Sequence, residues 1–186
     1  MIKEIVLASA SPRRKEILEM LGIKVTVRPG NCDETVESGL TPKELVTALA
    51  KQKAKAVPRE GKELVLAADT IVTIDGNILG KPKDKEDAKQ MLSLLSGKEH
   101  SVFTGFCLLK GNNILTGAEE TKVKFRTLNE AIIEEYLATG EPFDKAGSYG
   151  IQGKGCLLIE SICGDYFNVV GLPVSRIMAE LNGAEL

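Results

Sequence analysis

The sequence predicts an α/β or α+β fold, a mixed twisted sheet flanked by helices, from two observations. Apolar strand-like runs alternate with capped helical segments in the first half of the chain. The centre then carries two long alternating segments suited to antiparallel pairing, which argues against an all-β protein and for a layered one. With 186 residues, 43% of them hydrophobic, the chain can build a substantial core. No composition shift marks a linker, so residues 1–186 are expected to form a single domain, with room for two lobes around a cleft.

Each element has its own signal. Residues 2–8 form an apolar run suited to a buried strand; Ser11 then supplies an N-cap and Pro12 a first-turn proline, and Gly22 ends the helix that follows. Residues 23–28 alternate well enough for a second strand, and the polar loop "PGNCDETVESGL" comes next. "TPKE" at 41–44 pairs Thr41 with Glu44 as a capping box for a helix to about Val57. Residues 63–82 read as two β segments around an Asp75-Gly76 turn. A helix is expected from Asp84 to Ser96 with Gly97 as its stop. Two strands around "GNN" follow, and Thr127 with Glu130 suggests a second capping box for a helix to about Ala138. The remainder reads as a glycine-rich loop, a strand at 157–162, a "CGDY" turn and a terminal helix from Pro173.

Composition removes several classes of function. Lys and Arg total 24 against 26 acids, so no long-range positive field exists to hold nucleic acid or an anionic membrane. Five Phe, three Tyr and no Trp offer few stacking surfaces for single strands. No apolar run approaches the roughly 20 residues of a membrane span. The four cysteines form no Cys-x-x-Cys pair and the chain begins without a charged-apolar leader, so a reduced, cytoplasmic protein is expected. A homodimer is compatible with all of this.

The chemistry must come from carboxylates and cations. Neither a phosphate-binding Gly-x4-Gly-Lys-Ser/Thr loop nor a dinucleotide Gly-x-Gly-x-x-Gly pattern occurs. His100 is the single histidine, which leaves a histidine-rich metal site or a Ser-His-Asp triad hard to build. Arg13 and Arg14 fall in the first turn of a helix, right after the hydroxyls of "SAS". Cations are unfavourable there unless an anion compensates them, so the turn reads either as an anion trap or as a solvated pair facing Glu16 and Glu19. Lys53 lies within the arc of Leu45, Val46 and Leu49, unlike Lys51 and Lys55; it either snorkels or meets a partner inside. Asp69 follows the apolar run "LVLAA" at a strand end, where a carboxylate can bind metal, activate water or cap a turn. Lys81 precedes Pro82 at a loop end, in the extended form that proline imposes. Asp33 and Glu34 form an acidic pair in the first polar loop. Magnesium often bridges carboxylates to phosphates, so acids beside cations suggest a metal-assisted phosphate reaction.

"LASASPRR", "CDE", "KQKA", "AADTIV", "GKP" and "DKAGSYGIQG" with "VVGLP" resemble, in order and spacing, the Maf family of nucleotide pyrophosphatases, over residues 4–180. That resemblance implies a fold related to inosine triphosphate pyrophosphatases. It also implies hydrolysis of a nucleoside triphosphate to monophosphate and pyrophosphate with a divalent cation, Mg2+ or Mn2+. Asp69 would accept the proton from water, and Glu34 with Asp69 would bind the metal. Ser9, Arg13, Arg14, Lys53 and Lys81 would surround the phosphates. Arg13, Thr70 and Gln152 fall at positions that separate the family's branches: "SPRR", "ADT" and "IQG" look like the dTTP/UTP branch, where the 7-methyl-GTP branch has Ser-Pro-Trp-Arg, Ser-Asp-Gln and Ser-Glu-Gly. A non-catalytic nucleotide-binding regulator of septum formation would need the same anion trap but would have no use for Asp69.

Overall fold

The computed structural model describes residues 2–30, 32, 35–36, 38–58 and 60–183. Among them are seven strands, β1 (Glu4–Leu7), β2 (Lys24–Val27), β3 (Leu64–Ile74), β4 (Asn77–Leu79), β5 (Glu99–Lys110), β6 (Asn113–Phe125) and β7 (Ile159–Cys163), whose hydrogen-bonded order is β2-β1-β3-β5-β6-β7 with β4 paired to β3. The sheet is mixed, with helices interspersed along the chain, as the alternation of strand and helix signals predicts. The chain divides into two compact units, and the divisions fall within β3, β5 (Glu99–Lys110) and β6 (Asn113–Phe125). No linker marks the division because these strands run through it.

The first unit comprises Met1–Asp69, Thr104–Glu119 and Gly171–Leu186. β1 (Glu4–Leu7) pairs in parallel with β2 (Lys24–Val27) from Glu4↔Lys24 to Leu7↔Val27, and with β3 at Val6↔Val65 and Leu7↔Leu66. α1 (Pro12–Met20) starts at Ser11, but Ser11 makes no side-chain cap bond; its N–H instead donates to Ser9 Oγ at 3.2 Å. α2 (Pro42–Ala56) begins at the expected capping box: Glu44 N–H donates to Thr41 Oγ1, and Thr41 N–H donates back to Glu44 Oε2 at 2.8 Å. Ala50 and Ala54 of α2 pack with Val6, Val65, Cys107 and Leu109. The small face lets helix and sheet approach closely. A Cβ on Gly105 would lie 2.3 Å from the Val46 carbonyl carbon, so only glycine fits where β5 meets the α2 backbone.

The second unit comprises Thr70–Phe103 and Glu120–Val170. β3 and β4 form an antiparallel hairpin whose turn residues Asp75 and Gly76 have φ of 51° and 79°, the left-handed pair that an Asp-Gly hairpin turn requires. α3 (Lys85–Leu95) is capped by Asp84, whose Oδ1 accepts the Asp87 N–H at 2.8 Å. α4 (Glu130–Leu137) begins at Asn129, not at Thr127: Asn129 Oδ1 accepts the Ile132 N–H at 2.9 Å. The expected Thr127–Glu130 box is displaced because the preceding backbone is already committed. Arg126 N–H donates to Leu158 O, and Leu128 N–H donates to Ser96 Oγ at 2.7 Å. β7 (Ile159–Cys163) pairs antiparallel with β6 and starts later than expected, since Gly153–Leu158 winds into a 3₁₀ helix first. A short helix, α5 (Tyr166–Val170), replaces part of the expected turn; α6 (Val174–Gly183) returns to the first unit. Leu92, Leu95, Val123, Phe125, Ile133 and Leu137 make up much of the second core.

Candidate active site

Asp69 stands inside β3 and not at its end. β1 pairs with β3 at Val65 and Leu66 and β4 pairs with it from Val72, so Asp69 lies between the two pairings. Preceded by the fully buried Ala67 and Ala68 and itself buried, the carboxylate needs a partner. Lys53 of α2 supplies it, with Nζ 2.5 Å from Asp69 Oδ1 and the two side chains only 20% and 12% exposed. The lysine on the inward arc of α2 therefore does not simply snorkel to water; Lys51 and Lys55 on the other face are exposed.

Arg14 joins the same cluster from α1. Its Nε donates to Gly171 O at 2.8 Å, and its NH1 group donates to Ala68 O at 2.8 Å and to Ser9 Oγ at 3.1 Å. One guanidinium thus ties the "SAS" loop to the residue that precedes Asp69 and to the approach to α6. Burial pushes its pKa down to about 10, against the opposing pull of Asp69, with Arg13's like charge adding to the fall. It remains a cation at neutral pH. Ser9 Oγ accepts from both the Ser11 N–H and Arg14, which fills its two acceptor positions. What it can offer a ligand is its O–H proton, and that suits an anion.

The first polar loop is held against the same helix. Gln52 Nε2 donates to Thr35 O at 2.7 Å, and a Cβ on Gly30 would meet Ala56 Cβ at 2.9 Å and the Lys53 carbonyl at 3.1 Å. Asp33 and Glu34 themselves lie outside the described residues. Arg14 is thus bonded to Ser9 and to the carbonyl of Ala68, the residue before Asp69, while Asp69 is bonded to Lys53; half-buried Arg13 lies beside Arg14 on α1. Thr70, Lys81 and Gln152 belong to the second unit. There Gly147 N–H donates to Gly80 O at 3.0 Å, which ties the exposed Lys81 segment to the loop that carries the exposed Gln152.

A family model described as "Maf-like protein" matches residues 4–184. The chain belongs to the Maf family. A curated Maf relative from Bacillus cytotoxicus, named dTTP/UTP pyrophosphatase, is 51% identical over 181 residues, covering 97% of this chain and 95% of its own. A Bacillus anthracis protein of the same name is 49% identical over the same span. Among solved structures, the Staphylococcus aureus Ham1 protein matches with a TM-score of 0.57 at 14% identity, covering 97% of this chain and 99% of that one. That likeness shows the fold.

Several participants carry no residue-type signal. Ala68 and Gly171 act through backbone carbonyls, and the Lys53–Asp69 contact depends on the packing of α2 on β3. Glu141 and Tyr136 hold the Gln152 loop by hydrogen bonds to the Lys154 and Gly150 amides.

Proposed function

We propose that this Maf protein is a cytoplasmic nucleoside triphosphate pyrophosphatase that converts dTTP and UTP to the monophosphate and pyrophosphate. The observation that carries the mechanism is the Lys53–Asp69 pair beside the Arg14-braced loop. The kinship with Bacillus proteins named dTTP/UTP pyrophosphatase supports the substrate class. In this reading the N-terminal turn of α1, the Ser9 hydroxyl, Arg13, Arg14 and Lys81 bind the triphosphate. Lys53 orients the Asp69 carboxylate, which takes a proton from the attacking water. The amide of Gln152, with one donor and one acceptor face, reads the pyrimidine edge, with Arg13 and Thr70 contributing to base choice.

Asp69 is an oxygen donor of the kind a hard divalent cation takes. The described residues hold no cluster of three or more His, Cys, Asp or Glu side chains, so the remaining oxygens would have to come from outside that set. Asp69 and Glu34 with the substrate phosphates would hold the ion, as magnesium prefers. When bound, the ion would neutralise phosphate charge and polarise the phosphorus under attack.

Pyrophosphate release from UTP, dTTP, CTP and 7-methyl-GTP, with magnesium or manganese, tests the assignment. UTP and dTTP are expected to turn over. Activity confined to 7-methyl-GTP would place the chain in the sister branch, and tight UTP binding without release under either metal would make it a nucleotide-binding regulator.

A further inference from the structure

We infer that Glu141 is a positioning residue for nucleotide selectivity, acting through Gln152; this rests on the reading of Gln152 as the group that reads the base. Gln152 occupies the N-cap position of the 3₁₀ helix Gly153–Leu158, yet its own side chain makes no cap bond. Glu141 performs that task from a distance. Its Oε1 accepts the Lys154 N–H at 3.1 Å and its Oε2 accepts the Gly155 N–H at 3.3 Å. The residues preferred at such a position, Ser, Thr, Asp and Asn, turn their own side chains back onto the helix amides, which Gln does not. With the carboxylate of Glu141 there instead, the Gln152 amide is left exposed to meet a ligand.

The surrounding glycines are cut to this arrangement. Gly153 has φ of 65°, and a Cβ on it would lie 2.7 Å from Glu141 Oε1. A Cβ on Gly155 would lie 2.1 Å from the Gly150 carbonyl oxygen and 2.7 Å from the Tyr136 hydroxyl. That hydroxyl in turn accepts the Gly150 N–H at 3.2 Å. The segment is pinned at Gly150 by Tyr136 and at residues 154–155 by Glu141, and Gln152 lies between the pins. The backbone of Gln152 is thereby anchored on both sides while its side chain stays exposed, so the point from which the amide reaches a base is fixed.

The test compares kcat and KM for UTP and CTP in the wild type, Glu141→Ala, Glu141→Gln, Gln152→Ala and the Glu141→Ala/Gln152→Ala double variant. Glu141→Ala should lower the UTP-over-CTP ratio of kcat/KM about tenfold, mainly by raising KM for UTP, as loss of one well-placed hydrogen-bonding group would. Glu141→Gln keeps one acceptor oxygen and should recover part of the ratio; if Glu141→Ala fails to fold, its ratio decides. In the Gln152→Ala background the second change should leave the ratio as it is. A merely structural role would scale both substrates alike, so an unchanged ratio in Glu141→Ala overturns the inference. A further fall in the double variant overturns it too. The wild-type rates read the proposed function separately: a wild type that turns over neither nucleotide refutes that function and this inference together.

Discussion

His100 should make this protein weaken in mild acid. Its imidazole is 3% exposed in the second core, stacked edge-on against Phe125 and Tyr149, with Nε2 2.7 Å from the Tyr149 hydroxyl. Its Nδ1 is buried without a hydrogen-bond partner among the described residues. Imidazolium would bring two N–H donors to a place with one acceptor, and burial lowers the pKa from 6.5 to about 4. Between these values the unfolded chain binds a proton that the folded one refuses, so stability rises with pH across that window. The contribution is complete above pH 6.5 and is lost as pH falls toward 4. Linkage gives a loss of about 2 kcal/mol by pH 5 and about 3 kcal/mol by pH 4. Urea unfolding from pH 8 to 4 should show this slope in excess of that in His100→Gln, in which carboxylate titrations are retained but the imidazole is absent. Parallel pH profiles for the two proteins would show that the imidazole is not held neutral by its surroundings.

Three further substitutions probe the site and its scaffold. Arg14→Lys replaces a guanidinium that donates to Gly171 O, Ala68 O and Ser9 Oγ by a single ammonium. It should cost about 2–4 kcal/mol in denaturant unfolding and slow turnover of every nucleotide alike, whereas Arg13→Trp should alter substrate preference; an unchanged midpoint for Arg14→Lys would deny the brace. Gly105→Ala would drive a methyl into the Val46 carbonyl and the Thr47 amide of α2, so a loss of about 1–3 kcal/mol is expected by thermal unfolding. A variant as stable as the wild type would mean that α2 can retreat from β5 without cost.

Much of this architecture could be read from residue patterns because the decisive interactions are local. The Thr41–Glu44 box and the Asp75-Gly76 turn lie within a few residues and appear where their types demand. Asn129, by contrast, displaces Thr127 as the cap of α4 because Leu128 is held by Ser96, a contact 32 residues away that no window along the chain displays. Helical spacing put Lys53 on the inward face of α2, yet its partner could not be named until α2 was packed on β3. Asp69 reads as a strand end because the apolar run "LVLAA" stops just before it; the strand continues to Ile74, and only its pairing with β1 stops. The arginine pair shows the same limit. Side-chain type predicted two cations at a helix start, but Arg14's commitment to backbone carbonyls depends on chain segments more than 50 and 150 residues distant.

The central claim is that Asp69, held by Lys53, activates water against a pyrimidine nucleoside triphosphate. The most direct test is single-turnover pyrophosphate release from UTP by the wild type and Asp69→Asn with magnesium, alongside UTP binding by calorimetry. The amide should leave binding within a few-fold while slowing release by about 10²–10⁴, the usual contribution of a positioned general base. Release by Asp69→Asn at the wild-type rate would contradict the account.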